Sequence, residues 1–284
     1  MNGFYKIKDL EILSGIKAHT IRIWEKRYGL LSPERTDTGI RLYDNENLVK
    51  LLSISVLNEA GFKISKIAEL SSAEIQEKID GIYSQYHACS IDANLLIQSM
   101  VQLKCRDFDK TLSDIIKIKG LETAYRNCLS SFLQRIDGLA EKDKITAVQK
   151  HFVYNLIRQK IIVETNHLPV QENKGFDAIL FTPEGQPLEF HLLFYNYMLQ
   201  KKKFNTLYLG VNLPVTDLKK AIKETKPKRL VISMGDHNTG ETYLNYVQQL
   251  RQSTDLPIYV CEFLIQNYGT STTKDVFSIR ELID

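Results

Sequence analysis

Between Lys17 and Tyr43 stand six cations, Lys17, Arg22, Lys26, Arg27, Arg35 and Arg41, against three acids, Glu25, Glu34 and Asp37. The whole 284-residue chain carries a formal net charge of only +3, so this excess is local. Clustered guanidinium and ammonium groups can meet phosphate oxygens, and arginine can also reach guanine edges in a major groove. Two further places hold chemistry-bearing residues. The stretch PEGQPLEFHL (183–192) closes an apolar run and contains His191, and SMGDHNTGE (233–241) contains Asp236, His237, Asn238 and Thr239. The second group either binds a small polar molecule or forms an Asx turn that caps a helix. No nucleophile or further ligand can be placed beside Asp236 and His237, so no enzyme is assigned. The four cysteines, Cys89, Cys105, Cys128 and Cys261, have no C-x-x-C spacing. They read as buried reduced thiols rather than a metal site.

The elements that must position these residues fall into three segments. Residues 1–72 are short helical patterns broken by turns. Residues 78–168 are helical almost throughout, with no proline before Pro169. Residues 174–284 alternate strand-like runs, at 178–182, 206–211, 229–234, 257–263 and 275–279, with helical patterns at 188–203, 215–225 and 240–253. That alternation predicts a doubly wound parallel five-stranded sheet, and HLPVQENKG (167–175) reads as the linker before it. The fold class expected is therefore multidomain α and α/β: a winged helix-turn-helix, a helical bundle, then the α/β sheet. With 43% hydrophobic residues the chain can bury real cores. It shows no signal-peptide pattern and no apolar run of membrane-spanning length, so a cytoplasmic protein is expected.

Within the first segment, YKIKDLEILSGIKAHTIRIWEKRYGLL has the layout of two short helices joined by a turn at Ser14-Gly15. Thr20 is the expected N-cap of the second helix, with Ile21 and Trp24 facing inward and Arg22 and Lys26 sharing another face. In SPERTDTGIRLYD, Thr38-Gly39 predicts a tight turn between two extended arms, a wing. Its alternation sets Arg41 and Tyr43 on one side and Ile40 and Leu42 on the other.

The run TIRIWEKRYGLLSPERTDTGIRLYD resembles the winged helix-turn-helix of the MerR family of bacterial transcription regulators, whose pattern is T-I-R-x-W/Y-E-x-R-Y-x-L-x-x-P-x-R-T-x-x-G-x-R-x-Y. LVKLLSISVLNEAGFKISKIAEL resembles the helix pair that follows it. The resemblance implies a sequence-specific DNA-binding regulator that occupies inverted repeats in promoter DNA as a dimer. It implies a DNA-contacting set of Thr20, Arg22, Trp24, Lys26, Arg27, Tyr28, Arg35, Arg41 and Tyr43.

The order of segments resembles the cobalamin-binding members of that family, including light-responsive repressors. The supporting stretches are QKHFVYNLIRQKI (149–161) and PEGQPLEFHLLFYNYMLQKKKFNTLYLGVNLP. The family's E-x-H-x-x-G cobalt motif falls, aligned without gaps, on Gln186, Leu188 and His191. Its bundle E-H pair falls on Lys150-His151, and a later Gly-Gly step on Cys261-Glu262. The expectation is a cobalamin-type scaffold that binds no corrinoid and serves regulation or oligomerisation. Two alternatives stand beside it. One is a regulator that retains cobalamin or another ligand between bundle and α/β domain. The other is a regulator controlled by a protein partner on its C-terminal half.

Overall fold

The computed structural model describes residues 4–83, 88–170, 175–185, 189–234, 240–260 and 276–284. The chain divides into two compact units, Met1–Ile157 and Arg158–Asp284. The boundary lies inside one long helix, so the amino-terminal segment and most of the helical segment fall in the first unit.

The first unit begins with α1 (Ile7–Ser14) and α2 (Ala18–Tyr28). Leu10 and Leu13 bury one stripe of α1, and the Asp9 carboxylate accepts the Lys6 amide at 2.8 Å, which satisfies an orphan donor at the helix start. Gly15 ends α1 at φ 73°, a left-handed geometry that a side chain would resist, and this turns the chain toward α2. The wing strands β1 (Glu34–Arg35) and β2 (Arg41–Leu42) pair antiparallel across the expected turn, where the Gly39 amide reaches the Thr36 carbonyl at 2.8 Å.

The third helix, α3 (Asn45–Glu59), is capped by Asp44, which accepts the Asn47 amide at 2.8 Å. It is buried nearly all round, because short α4 (Ile64–Ile67), α5 (Ser72–Tyr83) and α6 (Cys89–Val101) follow it and α6 packs along it. The α3–α6 seam is polar at its centre. Asn94 Nδ2 donates to Ser55 Oγ at 3.1 Å, and Ser55 Oγ donates to the Ser14 carbonyl at 3.3 Å, tying α6 to α3 and α1. Helices α7 (Cys105–Ala124), α8 (Ser130–Ala140) and α9 (Ala147–Asn166) complete the bundle. Two irregularities interrupt the helical run that the sequence pattern suggests. Gly120 leaves helical geometry at φ 73°, ψ 154°, and Tyr125–Leu129 is a π-helical turn. The cysteines also differ from expectation. Cys128 is buried, Cys89 is half-buried and Cys105 is exposed, because the helix positions they occupy face different ways.

The second unit holds β3 (Ala178–Pro183), α10 (Phe190–Lys201), β4 (Thr206–Leu213), α11 (Val215–Thr225), β5 (Leu230–Ile232), α12 (Gly240–Arg251), β6 (Ile258–Val260), β7 (Val276–Ser278) and α13 (Arg280–Ile283). The five strands are all parallel, in the order β4-β3-β5-β6-β7. The fold class is the doubly wound one that the strand–helix alternation predicts. Every residue of β3 is buried, as a central parallel strand with covered faces requires. The β3–β4 register shifts between Leu180 and Phe181 and again between Phe181 and Pro183, so the pairing is irregular toward the carboxyl ends of these strands.

Candidate nucleic-acid interface

Helix α2 turns two faces to different surroundings. Ile21 and Trp24 are buried against the rest of the domain, while Arg22, Ile23, Lys26 and Arg27 are exposed. Spacings of three and four residues put these outward side chains on one continuous surface. The Arg27 guanidinium lies 5.6 Å from the centre of the Tyr28 ring, and Tyr28 is half-buried. Arg35 is exposed on the wing strand β1.

Four expectations for this region are corrected. Thr20 is not the N-cap. The helix starts at Ala18 after Lys17, and the Thr20 and Ile21 amides already bond the Lys17 carbonyl at 2.9 and 3.1 Å. Thr20 lies in the first turn, its hydroxyl 3.3 Å from His19 Nε2. Trp24 is 8% exposed and belongs to the core rather than to a DNA-facing surface. Tyr43 is fully buried, so its ring cannot grip a neighbouring phosphate backbone. The wing alternation also inverts at its ends: apolar Ile40 is 48% exposed and polar Tyr43 is inside.

The physical reason lies in Glu25. Its carboxylate accepts Tyr43 Oη through one oxygen and Arg41 Nε through the other, each at 2.8 Å. A buried phenol needs an acceptor, and Glu25 supplies one, so tyrosine can take a core position. Burial, and then the hydrogen bond to Glu25, push the Tyr43 phenol well above its ordinary range, so it remains the donor. The Tyr43 backbone also pairs with Tyr5 in an isolated antiparallel bridge, and Tyr5 Oη donates to Asn45 Oδ1 at 3.0 Å. Glu25 thus fastens the wing to α2. Charge counting misses this role because it treats Glu25 only as a subtraction from the basic cluster. The available signal is an acid on α2 one position after the inward Trp24, followed by an Arg-x-Tyr on the returning wing strand.

Of the residues drawn from the corrinoid resemblance, Gln186 and Leu188 lie outside the described residues. So do Asp236, His237, Asn238, Thr239, Cys261 and Glu262. His191 is exposed on the first turn of α10, its ring edge-on to Phe190 (5.8 Å) and stacked with Tyr195 (6.5 Å). In the first unit, Lys150 Nζ is 2.8 Å from Asp137 Oδ1, Tyr154 Oη donates to Asp137 Oδ2 at 2.7 Å, and neighbouring His151 is exposed. In the second unit Glu189 accepts Tyr208 Oη at 2.8 Å and pairs with Arg158 Nε at 2.7 Å. These carboxylates are engaged within their own units. Among the described residues no helix is long and apolar enough to cross a membrane.

An exposed basic helix with a clamped wing, followed in the chain by a doubly wound α/β unit, defines a winged helix-turn-helix protein with a C-terminal module. Residues 5–74 match the family model described as the MerR HTH family regulatory protein. Over nearly its full length the chain is similar to the HTH-type transcriptional repressor CarH of Myxococcus xanthus. Identity there is 25% over 265 residues, 90% of this chain and 88% of that protein. The repressor CarA of the same organism is 22% identical over 259 residues, 90% and 85% of the two chains. Among solved structures, the monomethylamine corrinoid protein of Methanosarcina barkeri shares the fold. Its TM-score is 0.50 at 17% identity, covering 66% of this chain and 93% of that one. The amino-terminal domain, residues 5–74, is a MerR-type helix-turn-helix; the chain is similar over 90% of its length to two transcriptional repressors and shares its fold with a corrinoid protein. The matched relatives with curated functions are regulators rather than enzymes, in agreement with the absence of a catalytic assignment from sequence.

Proposed function

We propose that this regulator, working in the cytoplasm, binds an inverted repeat in promoter DNA as a dimer. Arg22, Lys26 and Arg27 enter the major groove, and Arg35 with the outer edge of Arg41 meets flanking phosphates. The observation that carries this reading is the exposure of three cations on the face of α2 opposite buried Ile21 and Trp24. Supporting it, Glu25 holds the wing to the same helix, so both elements move onto DNA as one surface. Tyr28 supports Arg27 from below, and Thr20, Trp24 and Tyr43 act by holding the surface in shape. Operator selection with the purified protein tests the proposal. Arg22→Ala should relax base preference, and Arg35→Ala should weaken binding to all duplexes alike. Selection of the same operator at unchanged affinity by both variants would defeat the assignment.

The C-terminal module, in the same proposal, regulates or assembles the protein without a cobalt-ligated corrinoid. Cobalt needs a donor with a lone pair. The position that the family resemblance assigns to the ligand histidine is Leu188, a hydrocarbon, and His191 stands three residues away where the family has glycine. These residues do not fit cobalt ligation through that motif. The second reading, a module that keeps cobalamin, is favoured by the likeness to a corrinoid protein over 66% of the chain. Mixing the protein with adenosylcobalamin and desalting separates the two. Retained visible absorption supports the second reading, and a colourless protein supports the first. A protein partner on the C-terminal half is a further route of control, tested by pull-down with the full chain.

A further inference from the structure

The start of α6 and the broken end of α7 bring two thiols and one ammonium to the same corner of the first unit. Cys89 opens α6 and is half-buried. Lys119 Nζ donates to Cys89 Sγ at 3.5 Å and to Asp92 Oδ2 at 2.6 Å. Cys128 Sγ, buried in the π-helical turn, donates to the Cys89 carbonyl at 3.6 Å. Lys119 is the last residue before Gly120, whose φ of 73° breaks α7. The helix resumes through the π turn that carries Cys128, and such turns recur at functional sites.

The arrangement is not explained by stability. Asp92 is fully buried and Lys119 partly so, its side chain 14% exposed, and an ion pair removed from water in this way seldom stabilises more than apolar packing of the same volume would. Burial acts to lower the Lys119 pKa, but the hydrogen bond and charge of Asp92 outweigh it and hold the amine above its ordinary range. Lys119 therefore stays an ammonium, a fixed positive charge beside a partly accessible sulfur. Sulfur reacts as thiolate, and sensor cysteines sit in electropositive, partly exposed places beside a second cysteine that resolves the product.

We propose that Cys89 and Cys128 form a hydroperoxide-oxidised dithiol site. The Cys89 sulfur attacks one peroxide oxygen, the O–O bond breaks, and the other oxygen leaves as an alcohol, or as water from hydrogen peroxide, with the thiol proton. This makes the Cys89 sulfenic acid, with Lys119 supplying the counter-charge during attack. The Cys128 sulfur then attacks the Cys89 sulfur, the S–O bond breaks, and the hydroxyl leaves as water with the Cys128 proton. One peroxide is consumed and one disulfide forms. Burial pushes the Cys128 thiol up to about 12, which leaves first attack to Cys89 and resolution to Cys128. The disulfide would pin α6 to the π turn, and the Asn94–Ser55–Ser14 chain connects α6 to α3 and to α1, the helix that precedes α2. The chemical step itself does not depend on the DNA-binding proposal.

The test is peptide mapping of the full-length reduced protein after one equivalent of hydrogen peroxide and quenching with N-ethylmaleimide. The expected product has lost two hydrogens, carries a Cys89–Cys128 cross-linked peptide, keeps the exposed Cys105 alkylated, and returns to starting mass with dithiothreitol. Lys119→Gln should slow formation by about tenfold without changing Cys105 alkylation. Cys128→Ser should stop at a dimedone-trappable Cys89 sulfenic acid. The wild-type map decides even if a variant fails to fold. Oxidation of Cys105 while Cys89 and Cys128 are both recovered alkylated would overturn the proposal.

Discussion

Replacing Glu25 with alanine removes the acceptor of two hydrogen bonds at once, and the two losses differ in size. Tyr43 is fully buried, so its hydroxyl would be left without its 2.8 Å partner and unable to reach water. An orphaned buried hydroxyl costs about 1–3 kcal/mol. The Arg41 side chain is 34% exposed, so its Nε can rehydrate, and solvent screening limits that loss to about 0.2–1 kcal/mol. The sum is about 1–4 kcal/mol, or a fall in thermal midpoint of roughly 2–16 °C for a unit of this size. Tyr43→Phe removes the donor along with the need for an acceptor and should cost about 1 kcal/mol. In the Glu25→Ala background the same change should cost nothing or restore stability, because no hydroxyl remains to be orphaned. A double-mutant cycle by denaturant unfolding measures this coupling, expected above about 0.5 kcal/mol. Operator binding supplies an independent reading. Losing one negative charge beside the basic cluster would by itself tighten DNA binding, whereas a released wing weakens it. Additive unfolding energies, or tighter specific binding by Glu25→Ala, would refute the clamp.

Three further outcomes follow from the same geometry. Ile23, 51% exposed among the α2 cations, is placed to meet a thymine methyl in the groove, so Ile23→Ala should change base preference in operator selection with little change in unfolding midpoint. Asp44→Ala removes the α3 cap and should destabilise the first unit by about 1 kcal/mol in denaturant unfolding. In the second unit, hydrogen bonds from Lys228 and the Asn205 amide hold Asp177 below the ordinary carboxylate range. A depressed carboxylate contributes stability that is complete above its unfolded pKa and is lost as pH falls through the folded one. Asp177→Asn should therefore flatten the loss of stability below about pH 4. A variant as acid-sensitive as wild type would show that other groups set the slope.

The five strands and most helices were legible because each periodicity had one physical cause. β3 reads as an unbroken apolar run since both of its faces are covered, and α10 to α12 follow the strands at the expected spacing. The wing misled for the opposite reason. Alternation assigns sides by polarity, yet Tyr43 is a ring with one polar atom, and a single partly buried carboxylate is enough to bring it inside. Glu25 comes 18 residues before Tyr43, so nothing local announces the pair. The cation positions Arg22, Lys26 and Arg27 were legible as an exposed group, since helical spacing from Ile21 and Trp24 fixes their direction. Thr20 was misplaced by a turn because capping preference is weak against the two residues, Ile16 and Lys17, that Gly15 leaves before α2. The break at Gly120 was invisible, because a lone glycine in a helical pattern signals a tolerated interior position as readily as a kink.

The central claim is that the outward cations of α2 read duplex DNA. Footprinting on a selected operator, comparing wild type with the Arg22→Ala/Lys26→Ala/Arg27→Ala variant across a salt series, tests it most directly. Wild type should protect two symmetric half-sites, and its log affinity should fall linearly with log salt. The variant should lose specific protection and about three units of that slope while remaining folded. Equal protection and equal salt dependence for the two proteins would contradict the account.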